Sequence, residues 1–204
     1  MHLKKIIHSI TIISMLLISL ISLPLSAENS GISLGLNVML GGRYDDLRMC
    51  VGSPEGVKGG PIADIMLITR YHLNDRAVVG FKLPVMRPIL FGVAFDMLQF
   101  EPEFIFEYSI PVNDDMDLVV GPGLGASFHY GPDYETPKDA ENPEEFFAAG
   151  PFVSALFGLN FQSETGKTRM IGIRPFYTPL FTGDRGTGTV VGAALEGHFG
   201  LYRW

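Results

Sequence analysis

After about residue 30, apolar and polar residues alternate along most of the chain with a period of two. The stretch from Leu98 to Tyr130 shows this most clearly. Leu98, Phe100, Pro102, Phe104, Phe106, Tyr108 and Ile110 are apolar, and Gln99, Glu101, Glu103, Glu107 and Ser109 fall between them. Beyond the turn PVNDDMD, Leu118, Val120, Pro122, Leu124, Ala126, Phe128 and Tyr130 alternate with Val119, Gly121, Gly123, Gly125, Ser127 and His129. Successive side chains of a strand point to opposite faces, so each arm is a ribbon with one apolar side. The arms are longer than the usual strand of about 5–6 residues and carry aromatic residues near their ends. Together these features predict a membrane-spanning β-hairpin.

The same period predicts six more strands. They cover residues 31–41, about 62–73, a third with Val79, Phe81, Leu83 and Val85 outward and Gly80, Lys82 and Met86 inward, about 150–162, about 169–182, and about 189–204. The third fades near Pro88, and the pattern stays poor as far as Asp96. Connections at 42–60, about 87–96 and 131–149 are long, whereas 74–76, 111–116 and 163–168 are short; 183–187 is short where a long one is due. An even strand number with alternating long loops and short turns predicts an all-β fold: an eight-stranded antiparallel up-and-down transmembrane barrel, long loops outside the cell and both ends in the periplasm. A soluble lipocalin-like barrel would turn the apolar face inward instead. Here the apolar face has no Asp, Glu or Lys at mid-strand, and the other face is Gly-rich and charged, which favours lipid outside.

Composition adds the compartment. Lys4 and Lys5, the apolar run Ile6 to Leu23 and the small-residue site Leu25-Ser26-Ala27 predict a cleaved signal peptide over residues 1–27, leaving the barrel as residues 28–204. The full chain has a formal charge of −7, and residues 1–27 hold two Lys and no acid, so the remainder stands at −9. That balance excludes nucleic acid as a natural partner. No later apolar run reaches the roughly 18 residues of a helical span. Cys50 is the single cysteine, which rules out an intrachain disulfide.

The chain ends Tyr202-Arg203-Trp204. An aromatic last residue with another two before it resembles the terminal signature of bacterial outer-membrane barrels, and the resemblance implies handling of Tyr202 and Trp204 by the barrel-assembly machinery. Leu195, Phe199 and Leu201 set the apolar parity, so Tyr202 and Trp204 share the parity of Glu196 and His198 unless a bulge intervenes near Gly200. Strand count, loop alternation and terminus together resemble the small OmpA-, OmpX- and OmpW-like barrels. The OmpW-like group implies a hydrophobic lumen and passage of small apolar molecules toward the outer leaflet.

Strand direction assigns depth to the inward residues. Arg70, Lys82, Glu103, Glu107, Arg174 and Glu196 fall toward the periplasmic half, where opposite charges are expected to pair into a plug, because an unpaired buried charge is costly. Met39, Met66, Met86, Phe152, Phe176 and Leu180 fall toward the outer half, as an apolar pocket for a small hydrophobic ligand or as filling. Pro102, Pro122, Pro151, Pro175 and Pro179 lie in or beside strands. Each removes a ladder donor and marks either a bulge or a side opening, with Pro102 and Pro122 the first places to look.

Ser127 and His129 share a face, with Glu101 or Glu103 on the neighbouring strand, which is the residue set of an acyl-transfer triad. No specific match to a lipid A-modifying enzyme accompanies it, and no enzyme is expected. His72, His129 and His198 sit too far apart along the strands for a metal site, and no cofactor is implied. Three functional expectations result. The first is an OmpW-like barrel in outer-membrane lipid that admits small hydrophobic molecules. The second is a structural or adhesin-like barrel acting through its outer loops. The third, an alternative to these, is a lipid A-modifying enzyme.

Overall fold

The computed structural model describes residues 31–46, 58–93, 98–132, 145–161, 169–183 and 186–203. The signal-peptide segment, Cys50, most of the acidic connection 131–149 and Trp204 lie outside the described residues. The described residues form nine strands: β1 (Ile32–Asp45), β2 (Gly60–His72), β3 (Ala77–Pro84), β4 (Leu98–Phe100), β5 (Glu103–Asn113), β6 (Met116–Pro132), β7 (Glu145–Phe161), β8 (Arg169–Thr182) and β9 (Gly186–Arg203). A helix, α1 (Met86–Val93), stands between β3 and β4. All pairings are antiparallel, and β9 returns to β1, so the sheet closes. β4 and β5 both pair with β6 and form two halves of one stave, which makes a barrel of eight.

The two faces of the staves are those the alternation predicts. Leu40, Phe104, Leu124, Phe157, Ile171 and Leu195 point outward and are each more than half exposed, whereas Lys82, Glu103, Arg174 and Glu196 point inward and are almost wholly buried. A protein folded in water keeps such charges at its surface. An apolar outside around a charged inside is the partition that a bilayer imposes.

The third stave departs from expectation. β3 stops at Pro84, and Met86, expected on its inward face, opens α1 instead. Pro88 is the reason: it has no N–H to give a ladder, but the first turn of a helix leaves its N–H groups unused anyway. β2 pairs with β3 only between Met66 and His72, with one further bond from Val85 N to Ile65 O (3.0 Å). β4 pairs only with β6. Among the described residues, therefore, no strand lies between Gly60–Asp64 of β2 and Leu98–Phe100 of β4. α1 packs against both and fills the wall there.

The prolines do less than this. The β6–β7 ladder runs unbroken past Pro122 and Pro151, and β8–β9 runs past Pro175 and Pro179. Short interruptions appear in β5–β6 opposite Pro122 and twice in β7–β8, once at Pro175 and once around Pro151 and Pro179, the last spanned by Thr178 Oγ1 donating to Pro151 O (2.8 Å). Pro102 marks the break between β4 and β5, where Ala126 N still donates to its carbonyl (3.2 Å). At the last strand, Gly35 pairs with Gly200 and Leu34 with Tyr202. Leu201 is the extra residue of a bulge, and it carries Tyr202 onto the exposed outer face.

Leu124 faces outward near the middle of β6 and Val112 faces outward beside a turn. Leu124→Arg is expected to destabilise the barrel in lipid by about 2–4 kcal/mol, against about 0–1 kcal/mol for Val112→Arg. Urea titration of the two variants in vesicles checks this; equal costs would contradict a lipid-facing mid-strand.

Candidate functional site

An eight-stranded barrel encloses a space scarcely wider than its own side chains. Four charged residues from four staves meet in it. Arg174 on β8 sets its fork on Glu196 of β9, Nε to Oε2 at 2.7 Å and Nη2 to Oε1 at 3.1 Å. Lys82 on β3 reaches the same carboxylate at 2.8 Å and lies 3.7 Å from Glu103 of β5. Arg174 Nη1 closes the ring, 3.3 Å from Glu103 Oε1 and donating to Ser154 Oγ at 2.7 Å, while Ser154 donates to Glu103. Such charge-assisted, two-pronged bonds are the stronger kind. Gly123 makes room for them, because a Cβ there would overlap the Glu103 carboxylate and Ser154 Oγ.

Toward the short-turn end, Arg70 pairs with Glu107 (2.8 Å) and donates to His198 Nδ1, and His198 Nε2 donates to Glu196 Oε1 at 2.8 Å. Arg70, Lys82, Glu103, Glu107, Arg174 and Glu196 are thus joined in one network. Val119, Leu156 and Met170 pack as an apolar cluster in the lumen.

Toward the long-loop end, the apolar filling is Ile62, Ala148, Phe152, Phe176, Leu180 and Val190, with the Phe152 and Phe176 rings stacked at 5.5 Å. Met39 and Met66 form a neighbouring cluster with Ala194. A cavity of about 20 Å³ remains, with Met39, Ile62, Met66, Phe152 and Phe176 on its apolar side and Asp64, Arg87, Glu101 and Glu103 on its polar side. It has room for about one water molecule. Of the six residues expected to line an apolar pocket, Met39, Met66, Phe152 and Phe176 do so; Leu180 belongs to the packed cluster beside it, and Met86 is on α1, away from the lining.

The expectation of an apolar outer half does not hold. Arg43 pairs with Asp45 at 3.2 Å near the end of β1, both buried. Arg87, from the first turn of α1, sets Nε 3.0 Å from Asp64 on β2 and Nη1 2.7 Å from Glu101 at the β4–β5 junction. One guanidinium therefore joins the two lips of the interrupted wall. Asp64 was legible from strand parity. Arg87 was not, since it lies where the alternation fails; its one signal is a lone charge inside the apolar run PVMRPILFGV.

Ser127, His129 and Glu101 do come together. Ser127 Oγ donates to Glu101 Oε1 at 3.1 Å and lies 3.0 Å from His129 Nε2, which is itself 3.4 Å from Glu101 Oε1. In a nucleophilic triad the carboxylate orients the ring through Nδ1 while Nε2 takes the serine proton. Here both contacts fall on Nε2, and His129 Nδ1 has no hydrogen-bond partner among the described residues. His72 Nε2 lies 3.1 Å from Ser33 Oγ near the opposite end of the barrel. No cluster of metal-ligating residues occurs among the described residues.

No family model matches the chain, and no curated protein matches it in sequence. Solved structures match its fold. Neisserial surface protein A is 9% identical, with 83% of this chain and 97% of that one covered at a TM-score of 0.55. The fold is that of the small outer-membrane barrels. Ail, the attachment invasion locus protein of Yersinia pestis, is 14% identical over 86% of this chain and 99% of that one, at a TM-score of 0.42. The N-terminal barrel domain of Pseudomonas aeruginosa OprF is 9% identical over 82% and 97%, at 0.36. At such identities the likeness extends to the fold alone, and it does not single out the OmpW-like group.

Removing one member of a buried ion network strands the others. Glu196→Gln is expected to cost about 3–5 kcal/mol, and adding Lys82→Met, which discards one stranded cation, to recover part of that loss. Urea unfolding of both variants in lipid checks the sign of the recovery.

Proposed function

We propose that this protein is an integral outer-membrane barrel with a sealed lumen, acting at its outer end and outer wall rather than as a through pore. The supporting observation is the ion network of Lys82, Glu103, Arg174 and Glu196, which ties staves on different sides of the lumen together with side chains at most 2% exposed. Passage along the axis would require breaking it, and the cavity above holds about 20 Å³. In this reading the long connections face outward as the interacting surface, in the manner expected of a structural or adhesin-like barrel. The exposed Tyr202 is the part of the terminal signature offered to the assembly machinery.

A second reading, admission of small hydrophobic molecules, is favoured by one observation: among the described residues, the wall between β2 and β4 is made by α1 and not by a strand. Entry would then be sideways, from the outer leaflet into the space behind α1. We assign no catalytic role to Ser127, because its hydroxyl is committed to Glu101 and fully buried.

Planar-bilayer recording of the refolded barrel is expected to show no stable open level; a steady conductance would contradict the sealed lumen. Ser127→Ala is expected to leave the acyl pattern of lipid A unchanged by mass spectrometry, and a changed pattern would reinstate the enzyme.

A further inference from the structure

We propose that the space behind α1 is a binding site for a cationic amphiphile, an alkyl chain bearing an amine or guanidinium, and that Arg87 is its built-in occupant in the closed state. The inference rests on the sideways-admission reading and adds the chemistry of the ligand.

Charge balance in the lumen carries it. At mid-barrel two cations meet two carboxylates, toward the short-turn end Arg70 meets Glu107, and on β1 Arg43 meets Asp45. Around α1 the balance differs. At mid-barrel Lys82 and Arg174 share their two carboxylates, whereas among the described ion pairs Arg87 is the one Lys or Arg on both Asp64 and Glu101, which are 3% and 7% exposed. If α1 moves out of the wall, Arg87 leaves with it, and two buried carboxylates face an apolar space without their guanidinium. Buried charge without a partner is strongly disfavoured. A molecule that takes the place of α1 is therefore favoured when it brings a positive head of its own.

The rest of the site suits such a molecule. Met39, Met66, Phe152 and Phe176 offer apolar walls for a chain, and methionine adapts its shape more readily than branched side chains. A fatty acid would set its carboxylate against Asp64 and Glu101. A neutral alcohol would fill the walls but bring no charge to replace the guanidinium, leaving Asp64 with the Ile65 N–H and Glu101 with Ser127 and His129. The approach is from lipid: Ile89, Leu90 and Val93 on α1 are exposed, at 62%, 37% and 78%. α1 is eight residues long, and its described contacts with the wall include Arg87, the edge-on approach of Phe91 to Tyr130 at 5.9 Å and the ladder bond just before it from Val85 N.

The test uses photoactivatable alkyl probes of one chain length with an amine, a carboxylate or a hydroxyl head, added to the full barrel in zwitterionic vesicles, with adducts mapped by mass spectrometry. The amine is expected to label Met66 or Phe176 in the wild type and about tenfold more in Arg87→Gln, where the internal competitor is gone. Adding Asp64→Asn and Glu101→Gln to Arg87→Gln is expected to abolish that gain. If the hydroxyl probe labels the lumen as well as the amine does, the cationic preference is wrong and sideways admission stands. If no probe labels the lumen in a folded Arg87→Gln barrel, both fall. Should Arg87→Gln fail to refold, the wild type decides: lumen adducts with the amine and none with the carboxylate support the site, and adducts confined to the outer face overturn it.

Discussion

A guanidinium between two carboxylates holds the outer half of this barrel closed. A sheet avoids exposed edges by pairing every strand on both sides. Here β3 ends at Pro84, leaving Gly60–Asp64 on one lip and Leu98–Phe100 on the other with no strand between them among the described residues. Arg87 spans the gap, with Asp64 and Glu101 each within 3.0 Å. The planar fork of arginine serves two acceptors at once, which a lysine point charge does less well. With its charge turned inward and Ile89, Leu90 and Val93 turned outward, α1 behaves as a piece of wall.

Below that point the lumen is governed by a different constraint. Charges placed in so narrow a space have no water to turn to, so they are required to find one another. Lys82, Glu103, Arg174 and Glu196 do so across staves that are not all neighbours in the sheet, which braces the barrel internally. A buried ion pair is weak evidence of stability, since apolar packing is often as good. Its consequence here is closure: the same contacts that balance the charges occupy the axis. The chemistry of the outer site and the sealing of the inner one thus follow from one requirement, that each buried charge be met.

Much of the architecture was legible because a bilayer imposes a strict period of two. Outward Phe104 and Leu124 and inward Lys82 and Arg174 followed from parity alone, as did the need for a bulge to turn Tyr202 outward. The helix was not legible. PVMRPILFGV is apolar nearly throughout, and two turns are too short for a helical period to stand out. Missing α1 misplaced Met86 and hid Arg87. Ending the first strand at residue 41 hid Arg43 and Asp45, whose inward parity continues along β1. The error about an apolar outer half came from those three side chains together with Asp64 and Glu101. Prolines were read as marking either bulges or a side opening; one ladder runs on past each of Pro122, Pro151, Pro175 and Pro179, and the larger interruption begins where β3 gives way to a helix whose first turn contains Pro88.

The account stands on that interruption, and the backbone chemical shifts of the isotope-labelled barrel in lipid test it most directly. Helical shifts over 86–93, with contacts between β2 and β3 ending at Met66 and Pro84, are the predicted result. Strand-like shifts running on from Ala77 through Val93, with β3 paired to β2 as far as Gly60, would contradict it and remove the side opening altogether.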